Sequence, residues 1–313
     1  MTCTAPPPVT RSAELVAELR DLLPPGTVVR ADEPLAKRTT LRVGGPAEIY
    51  VEPADEGGLA AVLRFCQMHA VPFLVLGRGS NLLVRDGGIS GVVIHLGAAA
   101  FSQLEVEGDR LKCGAGVKLK DIALAAKRHG IGGLEFLEGI PGNLGGALRM
   151  NAGAMNGWTF DVVETLRFMD YDGIAHERPA GQVEKTYRCC SLLKTKIALG
   201  AVLHGAPLPQ EEIEARLTEG QQKRWASQPK EPSAGCMFKN PAGIPAGKLV
   251  DELGLKGLRI GGASVSTVHG NFIVNDGTAT GREVIELLET VRRTAREQRG
   301  IELETEVQIV GKD

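Results

Sequence analysis

Aromatic residues are scarce, at 4% of 313 positions, and neither charge sign dominates: 36 Lys and Arg oppose 38 Asp and Glu, a formal net charge of −2. Proteins that track phosphate backbones carry a marked basic excess, and single-strand binders need aromatic stacking platforms. Both are missing, which excludes nucleic acid as a partner. No apolar run reaches the roughly 18 residues of a membrane span, so no insertion is expected. Met1–Thr10 has three prolines and no apolar stretch, so no secretory signal is expected there. The six cysteines (Cys3, Cys66, Cys113, Cys189, Cys190, Cys236) include no Cys-x-x-Cys, and the six histidines are scattered singly. Zinc spacing is therefore absent, no metal site is expected, and adjacent Cys189-Cys190 would point apart on a strand. The expectation is a reducing compartment, most simply the cytoplasm.

What is present is ordinary globular composition, 43% hydrophobic and 24% charged, at a length that suggests two domains. Helices are expected at 11–23, with Leu15, Leu19 and Leu22 on one face, and at 59–69, 119–129 (closed by Gly130), 210–226 and 246–253. A long helix should start at the capping box Thr280–Glu283 and bury Val284, Leu287, Leu288 and Val291. Strands are expected at 71–76, 91–96, 162–171, 197–203, 271–275 and 302–310, with a hairpin over 101–113. Gly205–Pro209 is the linker candidate, and 229–247 reads as a Gly/Pro-rich loop. The alternation gives an α/β or α+β class.

Forty glycines are a large excess, and they cluster. One cluster, Gly77-Arg78-Gly79-Ser80-Asn81-Leu82, follows a predicted strand. The other runs from Gly139-Ile140-Pro141-Gly142 through Gly145-Gly146 to Asn151-Ala152-Gly153. Glycines let backbone N–H groups approach an anion closely, although each cluster alone also reads as a tight surface turn. The dinucleotide fingerprint fails because Leu82 stands where its last glycine is needed. Gly243–Leu249 is one residue short of a P-loop and lacks its hydroxyl, and there is no Gly-x-Ser-x-Gly elbow. From glycines alone the reading stops at an anion-binding α/β protein.

The exact strings carry more. Thr39–Pro46, Gly77–Leu82, Gly139–Gly142, Met150–Gly153, Tyr187-Arg188, Ser233–Pro241, Ala246–Val250, Leu255–Gly257, His269–Asn275 and Leu303–Val307 occur in an order that resembles the UDP-N-acetylenolpyruvoylglucosamine reductase family of flavoenzymes. That resemblance implies an α+β fold: a two-part FAD-binding domain of the vanillyl-alcohol-oxidase/p-cresol-methylhydroxylase-like type over 1–205, its two subdomains starting near 38. A smaller substrate domain would occupy 206–313, with its last strand, 302–310, returning to the active site.

It also implies a reaction. NADPH passes hydride to FAD; the enolpyruvyl ether of UDP-N-acetylglucosamine then takes hydride at C3 and a proton at C2, giving UDP-N-acetylmuramate for peptidoglycan. Gly77, Arg78, Gly79, Ser80, Asn81 and Leu82 would embrace FAD together with Gly139, Ile140, Pro141, Gly142, Gly145 and Gly146. Arg42, Asn151, Ala152 and Gly153 would lie nearby. Arg188 matches the arginine that faces the enolate, as bidentate guanidinium–carboxylate geometry suits. Glu306 matches the family's carboxylate; without the resemblance, Glu302, Glu304 and Glu306 read as a solvated strand face.

Cys236 stands where the family usually has the proton-donating serine, and a thiol serves as general acid only while protonated. Tyr187, Lys239, Asn240 and Lys248 are candidate contacts for the nucleotide-sugar, although an exposed lysine often only solubilises. Cys190, Asn143 and Arg149 also depart from the family pattern. Two alternatives stay open at this point: an FAD-linked alcohol or sugar oxidase of the same superfamily, and a flavin-binding protein that has lost catalysis.

Overall fold

The computed structural model describes residues 11–313; Met1–Thr10, where no secretory signal was expected, and Cys3 within it lie outside the described residues. Helix α1 (Arg11–Leu22) buries Leu15, Val16 and Leu19. Its stripe continues to Leu23, while Leu22, expected on the buried face, is 51% exposed at the stripe's edge. Strands β1 (Val28–Pro34) and β2 (Pro46–Glu52) pair antiparallel. Helix α2 (Glu56–Met68) follows, its first turn capped where Asp55 accepts from Gly58 N at 2.8 Å. Next come β3 (Phe73–Leu76), β4 (Leu82–Val84) and β5 (Ile89–His95). The first sheet has the order β1-β2-β5-β3, with β5 parallel to both neighbours. Val92 and Ile94 enter the helix-side core while Val93 joins Tyr50 on the other face. Burial on both faces is why this strand reads as an unbroken apolar run.

Strands β6 (Leu104–Glu107) and β7 (Arg110–Gly114) form the expected hairpin, and helix α3 (Leu119–Arg128) ends at Gly130 with φ +65°. Short β8 (Ile131–Gly132) leads to α4 (Leu144–Met150) and the hairpin of β9 (Gly153–Ala154) and β10 (Gly157–Trp158). Strands β11 (Val163–Met169) and β12 (Ala175–Pro179) precede a second small hairpin, β13 (Lys185–Thr186) and β14 (Cys189–Cys190). With β15 (Ile197–His204) they complete an antiparallel sheet ordered β12-β11-β15-β7-β6. The linker expectation at Gly205–Pro209 is corrected. Strand β16 (Ala206–Pro207) pairs with β8, and Leu208 N donates to Gly130 O at 2.8 Å, so the segment is tied down. Helix α5 (Gln210–Ser227) then lays Ile213 and Leu217 onto this first core.

The stretch expected as loop contains β17 (Ser233–Cys236). After α6 (Ala246–Glu252) come β18 (Arg259–Ile260), β19 (Ala263–Val265) and β20 (Phe272–Asn275), giving an antiparallel sheet ordered β17-β20-β19-β18. Helix α7 (Gly281–Arg299) starts at the Thr280/Glu283 capping box and buries the four predicted apolar residues. The expected last strand is corrected to β21 (Gln308–Val310), parallel to β4; residues 302–306 hold only the bridge Thr305–Phe238. Glu302, Glu304 and Glu306 therefore do not share a strand face. The second core takes in Leu41, Val43 and Leu83 from the N-terminal part, and Asp86 accepts from Gly281 N (2.7 Å) and Arg282 N (2.9 Å) at the start of α7. Among the described residues, no helix is long and apolar enough to cross a membrane.

Candidate active site

Tyr187 and Arg188 form the two-residue tip of the β13–β14 hairpin, and Arg188 sits there at φ +57°. Glycine or asparagine is the ordinary occupant of such a position, so an arginine is held against local preference. Its Nε donates to Glu306 Oε1 at 2.5 Å, and the two side chains are 20% and 12% exposed. The guanidinium carbon lies 4.9 Å from the Tyr187 ring centre and 5.4 Å from that of Trp158. Arg188 Nη1 is buried with no hydrogen-bond partner among the described residues. A buried donor of this kind is costly unless a ligand completes it. Glu302 and Glu304 instead pair outward with Arg296 and Lys239, so only Glu306 of the three belongs to the site.

Cys236 ends β17 opposite Phe272 of β20. Burial first, then the Glu306 carboxylate, push its thiol up to about 11, against weaker opposition from Arg188 and a hydrogen bond with Asn271. Asn271 is itself locked: its side chain accepts from Phe238 N at 2.9 Å and donates to Phe238 O at 2.8 Å. Cys236 is thus kept as a protonated thiol among fixed neighbours.

The first glycine cluster packs straight onto the segment 38–40. A Cβ on Gly79, which has φ +59°, would come within 2.8 Å of Thr39 Cα. The second cluster meets the first where Ser80 Oγ donates to Pro141 O at 2.7 Å. Asn81 Nδ2 donates to Glu306 O at 3.1 Å, so the first cluster also holds the backbone of the site carboxylate. Asn151, at φ +39°, spends its side chain on Thr186 O and Phe160 N and so joins the second cluster to the Arg188 hairpin. Arg42 is exposed at φ +60°. A Cβ at Gly77 or Gly146 would meet no protein atom within 4 Å. Beside each cluster a buried polar atom, Thr39 Oγ1 or Asn143 Oδ1, lacks a partner among the described residues. Open space edged by glycine backbone and unspent polar atoms fits an extended polar cofactor.

Two clefts adjoin. One, of about 520 Å³, is lined by Arg149, Arg188, Cys189, Lys194, Lys239 and Glu306 among others. The other, of about 360 Å³, is lined by Cys236, Asn240, Lys248 and His269. Their cations suit a polyanion such as a nucleotide diphosphate. Lys239 is shared with Glu304 at 2.9 Å, Lys248 is 67% exposed, and Asn240 Oδ1 also accepts from Ala246 N at the start of α6. Tyr187 is 47% exposed. No group of three or more potential metal ligands occurs among the described residues. Sequence reasoning missed Trp158, Asn271 and the hairpin that presents Arg188. The local signal beside Trp158 is Asn156, a residue type that tolerates the positive φ it adopts at the Met155-Asn156 turn.

Comparison with known proteins bears on family and fold. Residues 47–177 match a family model described as FAD binding domain, and residues 228–310 match UDP-N-acetylenolpyruvoylglucosamine reductase, C-terminal domain. Curated proteins named UDP-N-acetylenolpyruvoylglucosamine reductase are similar along nearly their whole length. That of Geobacter metallireducens is 43% identical over 302 residues, covering 96% of this chain and 98% of its own. That of Bacillus velezensis is 41% identical over 300 residues, covering 95% and 98%. A solved structure, UDP-N-acetylenolpyruvylglucosamine reductase (MurB) from Thermus caldophilus, superposes with a TM-score of 0.79 at 38% identity, covering 90% of this chain and 98% of its own. The fold is α+β, an FAD-binding domain of the vanillyl-alcohol-oxidase type joined to a C-terminal domain of the second model's kind.

Proposed function

The chain belongs to the UDP-N-acetylenolpyruvoylglucosamine reductase family, an FAD-dependent reductase that uses NADPH, and on that premise we propose how its own residues carry the reaction. The two glycine clusters, with Thr39, Asn143 and the 151–153 segment, would hold FAD. Bound there, FAD supplies hydride transfer, accepting from NADPH and passing on to the enolpyruvyl group. The observation that carries the reading is the convergence of a buried, incompletely satisfied guanidinium, a carboxylate and a protonated thiol.

Hydride at C3 leaves negative charge that spreads into the substrate carboxylate. Arg188 binds that carboxylate through the edge bearing Nη1, while its Nε neutralises Glu306, so no net repulsion meets the developing enolate. Glu306 has a second effect. By raising the thiol it keeps the proton on Cys236 Sγ, and that proton goes to C2. Cations of the clefts, Lys239 and Lys248 among them, take the diphosphate, with Tyr187 and Asn240 alongside. The remaining assignments are proposals of the same kind: an FAD-binding division over 1–205, a substrate division over 206–313 whose first elements, β16 and α5, pack on the first core, and a cytoplasmic location.

Anaerobic spectroscopy of the holoenzyme tests this reading. NADPH should bleach the flavin, and the enolpyruvyl nucleotide-sugar should restore the oxidised spectrum with one lactyl product per flavin. A bleached enzyme that recovers only in air would point to the oxidase or to a non-catalytic flavin binder.

A further inference from the structure

We propose that Trp158 is a positioning residue for Arg188: its indole, with the Tyr187 ring, forms the slot that orients the guanidinium for the substrate carboxylate. The proposal rests on the reaction argued above. Arg188 occupies a left-handed backbone position at a hairpin tip, and among the described residues Nε–Glu306 is its one side-chain ion pair. A single bond to one nitrogen leaves a guanidinium free to swing about that contact. Two rings close off the swing. The guanidinium carbon lies 5.4 Å from the Trp158 centroid and 4.9 Å from that of Tyr187, and the rings meet edge to face at 5.5 Å and 76°. Cation–π attraction is directional enough to select one orientation and strengthens where water is excluded.

Trp158 is built for this place rather than for a core. It is half-buried and belongs to none of the three hydrophobic clusters among the described residues. Its own backbone is fixed, because its N–H donates to Asp161 Oδ2 at 2.8 Å and it pairs with Gly153 in the β9–β10 hairpin. A Cβ on Gly153 would lie 2.6 Å from the indole, so the glycine makes the room that Trp158 fills. One hairpin, leaving the proposed flavin segment directly, thus steadies the tip of the other.

The test separates the two half-reactions of the holoenzyme. Trp158→Leu should slow reoxidation by the enolpyruvyl substrate roughly 5- to 30-fold, the span that lost cation–π orientation converts to. Trp158→Phe, which keeps a ring face, should stay within about threefold. Bleaching by NADPH and flavin content per chain should match the parent enzyme in both. Equal slowing by Leu and Phe, unchanged reoxidation in Leu, or loss of both half-reactions together would each overturn the proposal. A parent enzyme that the substrate does not reoxidise would instead sink the reaction assignment. A second readout needs no reaction. The chain has two tryptophans, so Trp225→Phe leaves Trp158 as the sole indole. Arg188→Met in that background should shift its emission, and an unshifted spectrum would disprove the contact.

Discussion

Arg188 combines a disfavoured backbone with a demanding side chain. At φ +57° a β-carbon costs on the order of 1 kcal/mol relative to glycine. Arg188→Gly should therefore be more stable to denaturant than Arg188→Met by about that amount, although both lose the guanidinium and most turnover. Equal stabilities would mean that the turn stores no strain. Cys236 yields a pH prediction. A general acid works while protonated, and burial and Glu306 raise this thiol to about 11. Protonation at C2 should stay level with rising pH and fall only as pH passes through that value. A decline centred near the ordinary thiol value of about 8.5 would show a thiol neither desolvated nor opposed by Glu306.

Elements join the two halves, and α7 shows how. Asp86, from the loop after β4, accepts from the first two backbone N–H groups of α7, where a carboxylate also meets the positive end of the helix dipole. Asp86→Ala should cost about 1 kcal/mol and lower Tm by a few degrees in thermal unfolding, with flavin content unchanged. α7 itself was legible in the sequence because every local signal agreed: a capping box, a periodic apolar face and Gly300 at the end. β5 was legible as an apolar run. What stayed hidden was pairing between distant segments. β17 has two hydroxyl- or glycine-type positions in four residues and becomes a strand only against β20. Residues 302–306 look strand-like by alternation, yet their backbone follows Phe238 and Lys239 instead of a ladder. The Arg188 hairpin carries no glycine at its turn, so nothing local announced it. The site strings could be recognised as a set, while the aromatic slot around Arg188 needed the fold.

Taken as a whole molecule, the site exists only where the halves meet. Arg188 comes from a hairpin of the first half, Cys236 from the sheet of the second, and Glu306 from the returning C-terminal segment. Leu41, Val43 and Leu83 sit in the core of α7, and β21 pairs with β4. Calorimetry of the holoenzyme should accordingly find one cooperative transition, with no separate melting of the C-terminal part. Two resolved transitions would mean that the shared core does not couple them. At this junction the proton proposed for C2 comes from Cys236. That proposal is tested most directly by single-turnover reoxidation of the NADPH-reduced enzyme with the enolpyruvyl substrate, comparing the parent with Cys236→Ser and Cys236→Ala. Serine should retain activity and alanine should slow reoxidation by about 100-fold or more, with bleaching by NADPH untouched. An alanine variant that reoxidises at the parent rate would contradict it.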